Sequence, residues 1–199
     1  MGQARGELSL FLRRWLAHPF RVGAIAPSSR ALGRLVARHA VQDPDDLVIE
    51  LGAGTGTITQ DLLDARAREE NLVLVEMDKD LVAYLRQLYP HATIIADDAS
   101  TPAEIVPSEV LGRAATVISG IPALQFSDSK QRAYIAQCIQ CLREGGHILQ
   151  YTYSLKSPIR QRETGVTGQR LGVALVNVPP AHVWGYTPAV EAEPAVAAE

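Results

Sequence analysis

The residues best suited to chemistry begin at a short apolar strand that runs into a glycine-rich turn. Residues 48–56 read Val-Ile-Glu-Leu-Gly-Ala-Gly-Thr-Gly. Glycines permit positive φ and let the backbone approach a ligand closely. The order G-x-G-x-G differs from the G-x-G-x-x-G that seats a pyrophosphate and from the G-x-x-x-x-G-K-[ST] loop of nucleoside triphosphate sites. Glu50, just before the turn, would repel a pyrophosphate and suit a cationic amino-acid group.

Two further acids follow the next strands along the chain. Glu76 ends the apolar stretch 72–75, and Asp98 follows the apolar stretch 93–96. A carboxylate at the carboxyl end of a strand can accept hydrogen bonds from both ribose hydroxyls, and Asp98 could accept one from an adenine amino group. For each acid taken alone, a solvated position in a loop is an equally good explanation. Three of them at the ends of successive strands indicate a site for an adenosine-bearing cofactor.

A second group of chemistry-bearing residues lies later in the chain. The segment Ser119-Gly120-Ile121-Pro122 follows an apolar strand, and its backbone carbonyls could hold an attacking amine nitrogen. Tyr151 and Tyr153 share one face of a later strand, where their rings would favour an amine that becomes a cation. Lys156 and Arg160 offer charge for a phosphate. Core packing of the tyrosines and a solvated loop for the basic residues are equally open alternatives.

These residues need a scaffold that brings strand ends together, and the chain pattern predicts one. Apolar strands alternate with helical segments, which indicates an α/β fold with a doubly wound, mostly parallel sheet. A closing pair of strands, 171–178 and 183–186, is expected to supply an antiparallel last strand. The other predicted elements are strands at 47–51, 72–76, 93–96, 116–119 and 147–153, and helices from Ser29 through Val36, from the glycine turn to about Arg68, at Lys79–Leu88 and at Ser127–Glu144.

The charge is unevenly distributed along an otherwise ordinary globular composition. The 199 residues suffice for one domain, with 47% hydrophobic and 21% charged residues and a net charge of −3. Residues 1–40 carry seven arginines against one acid, so the remainder is acidic. Such a split predicts a surface that meets something anionic, either nucleic acid or a lipid headgroup layer.

The N-terminal segment favours the lipid alternative. Residues 6–18 are predicted to form an amphipathic helix, with Phe11 and Trp15 on its apolar face and Arg13 and Arg14 elsewhere. Such a helix suits a membrane interface with anionic lipids, and simple packing on the domain is the alternative.

The expected organisation follows from this helix. Residues 1–26 are expected to form the interface helix and a lid over the site, residues 27–187 the catalytic domain, and residues 188–199 a tail without regular structure. The first residues lack a secretory signal, and no apolar run is long enough to span a bilayer. We therefore expect a cytoplasmic chain, peripheral on the cytoplasmic face of the membrane.

The cysteines and histidines do not indicate a redox or metal site. Cys138 and Cys141 have C-x-x-C spacing, but they lie late in a predicted helix, and no second ligand pair matches them. Buried thiols on an apolar helical stripe are the better interpretation. The five histidines lack metal-ligand spacing, so no metal is predicted.

Together the glycine turn with Glu50, the acid Glu76 and the pair Asp98-Ala99 resemble the class I S-adenosylmethionine-dependent methyltransferases, over roughly Asp46 to Tyr153. The resemblance implies that Glu50 and the turn hold the methionine part of S-adenosylmethionine, Glu76 the ribose, and Asp98 with Ala99 the adenine. The cofactor-binding residues implied in this way are Ser28, Ser29, Glu50, Gly52, Ala53, Gly54, Thr55, Gly56, Glu76, Met77, Asp98, Ala99 and Ser119.

Two protein families contain a segment similar to residues 119–123, which we call the acceptor segment because it would face the group that receives the methyl. Residues 119–123 resemble the Asn-Ile-Pro-aromatic element of the rRNA adenine dimethylases, but Gly120 stands at the Asn position and Ala123 at the aromatic one, so the base-stacking platform is missing. The chain is more similar to the soluble bacterial phospholipid N-methyltransferases. The shared stretches are Phe11-Leu12-Arg13 with Trp15, residues 22–29, the glycine turn, residues 119–122 and residues 150–154.

This second resemblance implies methylation of the amino group of phosphatidylethanolamine, and onward through mono- and dimethyl forms to phosphatidylcholine. The expected partner is an anionic phospholipid surface and not a nucleic acid, and the expected state is a monomer. Two alternatives stay open: an rRNA or DNA adenine N6-methyltransferase, and a non-catalytic membrane-surface adaptor. On the lipid interpretation the residues are Ser119, Gly120, Ile121 and Tyr153 for catalysis, Pro122, Tyr151, Lys156 and Arg160 for substrate binding, and Phe11, Arg13, Arg14 and Trp15 for membrane binding.

Overall fold

The structure is a computed structural model that describes residues 29–177 and 179–189. The predicted interface helix, with Phe11, Arg13, Arg14 and Trp15, lies outside the described residues. Ser28 and residues 190–199 lie outside them as well. None of the described helices is long and apolar enough to cross a membrane.

Seven strands form one sheet in the order β3-β2-β1-β4-β5-β7-β6. Strands β1 to β5 run parallel, and β7 pairs antiparallel with both β5 and β6. The predicted doubly wound sheet with an antiparallel last strand is therefore confirmed. The strands are β1 Val48–Leu51, β2 Leu72–Glu76, β3 Thr93–Ala96, β4 Ala114–Ser119, β5 Leu142–Thr152, β6 Val166–Ala174 and β7 Ala181–Pro188.

Helices cover both faces of the sheet, and each face has its own apolar core. On one face Leu72 and Leu74 pack toward α1 and α2, and on the other Val73 and Val75 pack toward α5. This alternation follows from the two-residue period of a strand, and it explains why β2 is apolar at every position. The helices are α1 Arg30–Ala40, α2 Thr57–Asp64, α3 Lys79–Leu88, α4 Pro102–Ile105, α5 Asp128–Cys141 and α6 Gln161–Thr164.

Several predicted boundaries are wrong, and local backbone features explain the differences. The helix after the glycine turn ends at Asp64 instead of near Arg68, and α5 ends at Cys141, after which β5 begins at once. The predicted strand 171–178 ends at Ala174, because the amide of Asn177 bonds back to the carbonyl of Ala174 and turns the chain. The same strand begins earlier than predicted, after Gly165, which has a left-handed backbone.

The two cysteines behave as predicted. Both thiols are reduced and buried on the side of α5 that faces the sheet. Burial raises the pKa of Cys141 to about 11 and that of Cys138 still further, so both stay protonated at neutral pH.

Candidate active site

The glycine turn connects β1 to α2 at the carboxyl edge of the sheet. Gly52, Gly54 and Gly56 all have positive φ, at 81°, 57° and 73°. The amides of Gly52 and Ala53 both donate to the carbonyl of Val75, which fixes the turn against β2. A Cβ at Gly54 would meet nothing within 4 Å, so the backbone there faces open space. The turn is therefore rigid on one side and accessible on the other.

Gly56 differs from the other two glycines because its surroundings are filled. A Cβ there would lie 2.7 Å from the ring of Tyr89. The Tyr89 hydroxyl donates to the carbonyl of Gly56 at 2.9 Å. Here the glycine is needed so that α3 and its C-terminal tyrosine can pack against the start of α2.

Glu50 is a buried carboxylate under the turn. Its Oε2 accepts a hydrogen bond of 2.6 Å from the hydroxyl of Thr59, in the first turn of α2. Burial raises the pKa of Glu50 to about 8, and the nearby charge of Glu76 adds to the effect. A cation would stabilise the ionised form of such an acid strongly, so the site suits an ammonium group beside Glu50.

Glu76, at the end of β2, is tied to the glycine turn. Its Oε2 accepts from the amide of Gly54 at 2.8 Å, and its Oε1 accepts from the amides of Met77 and Asp78 at 2.9 Å each. A carboxylate offers about four lone-pair positions, so capacity for a ribose hydroxyl remains. The strand register places Glu76 beside the end of β1, as the sequence predicts.

The predicted adenine residues lie at the end of β3. Asp98 is exposed, and its carboxylate accepts from the amide of Ser100 at 2.9 Å. Ala99 is buried in the core that faces α5. Met77 lies after β2 at the same edge with 71% of its side chain exposed. An open apolar side chain beside an exposed carboxylate is the combination that an adenine ring would cover.

These residues fit S-adenosylmethionine. The open backbone at Gly54 can accept a close ligand, the buried acid Glu50 suits the ammonium of its methionine part, and Glu76 and Asp98 remain accessible to hydroxyl and amino groups. No group of three metal-ligating side chains occurs within residues 29–177 and 179–189. The assignments of individual cofactor contacts remain predictions.

The acceptor segment after β4 packs directly against the glycine turn. A Cβ at Gly52 would lie 3.3 Å from a methyl group of Ile121. A Cβ at Gly120 would lie 2.6 Å from the hydroxyl of Tyr151 and 3.0 Å from the carbonyls of Leu51 and Gly52. The Tyr151 hydroxyl thus occupies the space that any side chain at position 120 would need. Gly120 and Tyr151, 31 positions apart, form one site.

Ser119 is oriented differently from its neighbours. Its hydroxyl accepts a hydrogen bond of 2.7 Å from Tyr134 of α5, on the opposite face of the sheet from Tyr151. Burial raises the pKa of Tyr134 well above its usual value, so this phenol stays a donor. The structure therefore gives the Ser119 side chain a packing role and leaves its backbone carbonyl at the acceptor edge.

Gln150, on β5, is a residue that the sequence analysis missed. Its side-chain nitrogen donates to the carbonyls of Ser119, Ile121 and Tyr151 at 3.0, 3.1 and 3.2 Å. The side chain is buried, and its own oxygen has no hydrogen-bond partner among the described residues. Gln150 fixes the carbonyls that were predicted to hold the attacking amine. A polar residue inside an apolar strand was the available signal.

Asn177 is the second residue that the sequence analysis missed. It is buried at the β6–β7 turn, where its side-chain oxygen accepts from the hydroxyl of Ser29 and its amide shares a hydrogen bond with Tyr153. Ser29 also caps α1 by accepting from the amide of Leu32. Burial raises the pKa of Tyr153, so its hydroxyl is protonated at neutral pH. This network joins the start of α1, the end of β5 and the β6–β7 turn.

The remaining predicted substrate residues lie on the loop after β5. Lys156 is exposed. Arg160 is half-buried, pairs with Asp128 at 3.1 Å, and donates to the carbonyl of Phe126 at 3.2 Å. Arg160 therefore holds the acceptor loop, and Lys156 is the more available cation. Pro122 begins the short 3₁₀ turn Ala123–Gln125 of that loop, and Ala123 is buried, so no aromatic ring faces the site from position 123.

The chain is similar in sequence to known methyltransferases. The chain is 29% identical over 149 residues to the ornithine lipid N-methyltransferase of Singulisphaera acidiphila, covering 73% of this chain and 78% of that protein. It is 47% identical over 64 residues to the ribosomal RNA small subunit methyltransferase A of Chromobacterium violaceum, covering 31% of this chain and only 23% of that protein.

Solved structures share the fold at low identity. The 1,6-didemethyltoxoflavin N1-methyltransferase of Burkholderia thailandensis, solved with S-adenosylhomocysteine, superposes with a TM-score of 0.62 at 14% identity, over 94% of this chain and 89% of that one. A TehB-like S-adenosylmethionine-dependent methyltransferase from Corynebacterium glutamicum gives 0.59 at 14% identity, over 92% and 99%.

Residues 28–129 match the ribosomal RNA adenine dimethylase family. The match covers just over half of the chain, and it includes both the glycine turn and the acceptor segment. With that match and the shared fold, this chain is an S-adenosylmethionine-dependent methyltransferase that belongs to the ribosomal RNA adenine dimethylase family.

Proposed function

We propose that the protein methylates the primary amine of a lipid headgroup, and in particular that of phosphatidylethanolamine, at a membrane surface. The observation that carries this proposal is the pairing of Gly120 with Tyr151. Because the tyrosine hydroxyl lies where a side chain at position 120 would begin, this phenol and the amide of Gln150 both lie at the acceptor segment as polar side-chain groups. With a buried alanine at position 123, a planar base would have no ring to stack on there.

The acceptor side of the site suits a small neutral amine. Gln150, Tyr151, Tyr153 and Asn177 are uncharged side chains, and burial keeps the phenol of Tyr153 protonated. An ammonium ion would lose its hydration there without a fixed anion beside it, so the site favours the neutral amine, which is the nucleophilic form. The carbonyls held by Gln150 can accept its N–H groups and leave the lone pair directed at the cofactor side.

S-adenosylmethionine supplies an activated methyl group when it is bound. The chain contributes orientation, since the contact of Ile121 with Gly52 keeps the acceptor segment beside the cofactor turn. Gln150, Tyr151 and Tyr153, which lie at or near the acceptor carbonyls, carry neither a carboxylate nor an imidazole. We expect the amine to release its proton to water, either before it enters the site or after transfer.

Two further features support a lipid acceptor. The Singulisphaera acidiphila relative is named for N-methylation of an ornithine lipid, and the likeness to it spans most of both chains. Lys156 lies exposed on the loop after β5, at the same edge as the acceptor carbonyls, where it can meet a headgroup phosphate. Phosphatidylethanolamine and ornithine lipids share an amine, so the test must include a lipid amine of each kind.

Methylation of an adenine in rRNA is the second candidate function. The family match and the local 47% identity to a ribosomal RNA methyltransferase favour it. That identity covers only 31% of this chain and 23% of the relative, and binding of a base would also depend on residues of the acceptor side. The two functions predict different labelled products.

The decisive experiment uses the purified full chain with radiolabelled S-adenosylmethionine. Vesicles containing phosphatidylethanolamine, vesicles containing an ornithine lipid, vesicles of phosphatidylglycerol without an amine, and small-subunit rRNA are tested separately. We expect label in phosphatidylethanolamine, none in phosphatidylglycerol and none in RNA. Thin-layer analysis of lipids from a host that makes phosphatidylethanolamine but no phosphatidylcholine gives the same test in cells.

The matched control is Glu50→Gln, which removes the buried acid of the cofactor side at nearly constant volume. It should lower labelling of every acceptor together. Label in RNA but in no lipid would refute the lipid proposal and support the second candidate. S-adenosylhomocysteine binding without any methylated product would support the non-catalytic alternative.

A further inference from the structure

The exposed aliphatic side chains of the described structure are concentrated at the acceptor edge. Leu155, Leu175 and Val176 are 77%, 76% and 77% exposed, and Leu124 is 44% exposed. These four residues, which we call the apolar rim, come from the loops that follow β4 and β5 and from the β6–β7 turn. The strand register puts the three loops together, because Thr152 at the end of β5 pairs with His182 at the start of β7.

The opposite edge provides the contrast. Apart from Met77, which follows β2 and is 71% exposed, the other large exposed hydrophobic residues of the described chain are Leu88 and Leu111, at 43% and 37%. Leu88 ends α3 and Leu111 precedes β4, so both lie at the amino edge of the sheet. Single exposed leucines of this kind are common on protein surfaces. A group of three aliphatic residues that are each more than three quarters exposed, Leu155, Leu175 and Val176, around one edge is not.

Hydrogen bonds of the local backbone hold the rim side chains in solvent. Leu175 and Val176 are the two central residues of the turn closed by the hydrogen bond from the Asn177 amide to the Ala174 carbonyl. Glycine, asparagine, aspartate, serine and proline normally occupy such positions, because they adopt the turn conformation readily or hydrogen-bond to its backbone. Leucine and valine do neither. Leu155 is projected in a similar way by bonds from the Ser154 and Lys156 amides to hydroxyls two residues before them.

Charge complementarity identifies the partner. Residues 153–162 contain Lys156, Arg160 and Arg162 and no acid. Lys156 makes no ion pair among the described residues, while Arg160 is paired with Asp128. Aliphatic loop tips flanked by cations are the arrangement that enters the headgroup region of an anionic bilayer. Protein interfaces instead favour aromatic residues, methionine and arginine, and leucine and valine rarely dominate their binding energy.

We infer that the apolar rim docks the protein on an anionic lipid bilayer, with Leu155, Leu175 and Val176 inserted among the headgroups. This inference rests on the proposed lipid function for its biological purpose, but insertion is measurable without turnover. It also links docking to the acceptor site, since Asn177 follows Val176 directly and bonds to Tyr153. A bilayer that seats the turn would hold the tyrosine at the acceptor edge.

Site-specific fluorescence tests the insertion directly. Leu155→Cys, Val176→Cys and Leu88→Cys are each made in the full chain and labelled with an environment-sensitive dye. The native thiols should react little, because both are buried and their pKa values are raised. On adding vesicles of equal parts phosphatidylcholine and phosphatidylglycerol, without S-adenosylmethionine, we expect a blue shift at positions 155 and 176 and none at 88.

Affinity provides the second measurement. Leu155→Ser combined with Val176→Ser should lower the affinity for these vesicles on the order of tenfold or more. The matched pair Leu88→Ser with Leu111→Ser should leave it unchanged. The rim variant should also lose more activity on phosphatidylethanolamine in vesicles than on a dispersed short-chain form.

The outcomes separate the two proposals. Blue shifts at positions 155 and 176 without methylation of any lipid would support the rim and refute the proposed function. Lipid methylation without a blue shift at either position, or equal vesicle affinity of the rim and control variants, would overturn the rim. Failure of the full wild-type chain to bind the vesicles at all would overturn it as well.

Discussion

The two halves of the carboxyl edge are built in different ways. The cofactor half lies at β1 to β3, and backbone groups of the glycine turn form much of its surface. Its central residues, from Glu50 to Glu76, belong to one continuous segment. In the acceptor half, at β4, β5 and β7, residues from distant segments are in contact: the Ser29 hydroxyl bonds to the Asn177 side chain, and the Tyr151 hydroxyl lies against the backbone of Gly120. The cofactor turn also has a distant contact, between Gly56 and Tyr89, but its glycines and acids follow a pattern along the chain, whereas the acceptor contacts follow none.

The halves also differ in charge. The cofactor half holds the buried acid Glu50, with Glu76, Asp97 and Asp98 nearby. The buried groups of the acceptor half are neutral, and its exposed charges are mainly cationic. Under the proposed function, this separation would place the ammonium of the cofactor on one side and the neutral acceptor amine on the other. Each of the following changes tests one side of it.

The largest effect is expected from Gly120→Ala in the acceptor half. The new Cβ would lie 2.6 Å from the Tyr151 hydroxyl and 3.0 Å from two carbonyls, so the segment must shift. We expect methyl transfer to fall about a hundredfold, because misplacement of reacting groups by an ångström has effects of that size. The affinity for S-adenosylhomocysteine, measured by calorimetry, should fall much less. Adding Tyr151→Phe to this variant removes the closest contact and should recover part of the rate. A rate within threefold of wild type for Gly120→Ala alone would contradict this geometry.

Glu50→Gln is the corresponding change in the cofactor half. Loss of a charged hydrogen-bond acceptor should weaken S-adenosylhomocysteine binding by roughly tenfold to a hundredfold. In the wild type, affinity should rise as the pH approaches about 8, because Glu50 must lose its proton to pair with a cation. This pH dependence should be absent in the variant, as measured by calorimetry between pH 6 and pH 9.

The same substitution tests the pH dependence of folding. The pKa of Glu50 is raised in the folded protein to about 8, from 4.5. The folded state therefore keeps a proton that the unfolded state has lost, and the stabilisation is complete at low pH and lost as the pH rises through 8. Without cofactor, the melting temperature of the wild type should fall relative to Glu50→Gln between pH 6 and pH 9. Parallel curves would show that Glu50 is ionised throughout.

A smaller effect is expected from Gln150→Met, which keeps the volume of the side chain but removes its donor. The carbonyls of Ser119, Ile121 and Tyr151 would lose their common partner. We expect kcat to fall by about tenfold, which corresponds to a barrier higher by about 1.4 kcal/mol. The Kd of S-adenosylhomocysteine should stay within twofold. An equal loss in both quantities would mean that Gln150 supports the whole edge and not the acceptor carbonyls.

The smallest effect is expected from Asp98→Asn. The side chain is exposed and already accepts from the Ser100 amide, so water competes for any contact with an adenine amino group. The Kd of S-adenosylhomocysteine should rise by a few-fold, with kcat unchanged at saturating cofactor. An effect as large as that of Glu50→Gln would mean that the exposed end of the cofactor half contributes as much as its buried end.

Much of the fold could be predicted from the sequence, and the exceptions have local causes. The bounds of β2, β3 and α3 agree with the predictions, because these elements have clear apolar periods and definite ends, such as the Asp78 cap of α3. The strands at 142–152 and 166–174 were predicted with wrong ends. Gly145 and Gly165 have positive φ. The residue at which strand pairing resumes after each of these glycines depends on the partner strand.

The sequence by itself determined the order of the elements along the chain, the doubly wound class of the sheet, the cofactor turn and the acids at the strand ends. These features depend on local periodicity and on the conformational freedom of glycine, which act over a few residues. Only the tertiary structure decided that Glu50 is buried with a raised pKa, that Gln150 holds three carbonyls, and that Asn177 joins Ser29 to Tyr153. Those properties depend on which distant side chains share a space, and the spacing of residues along the chain does not determine that.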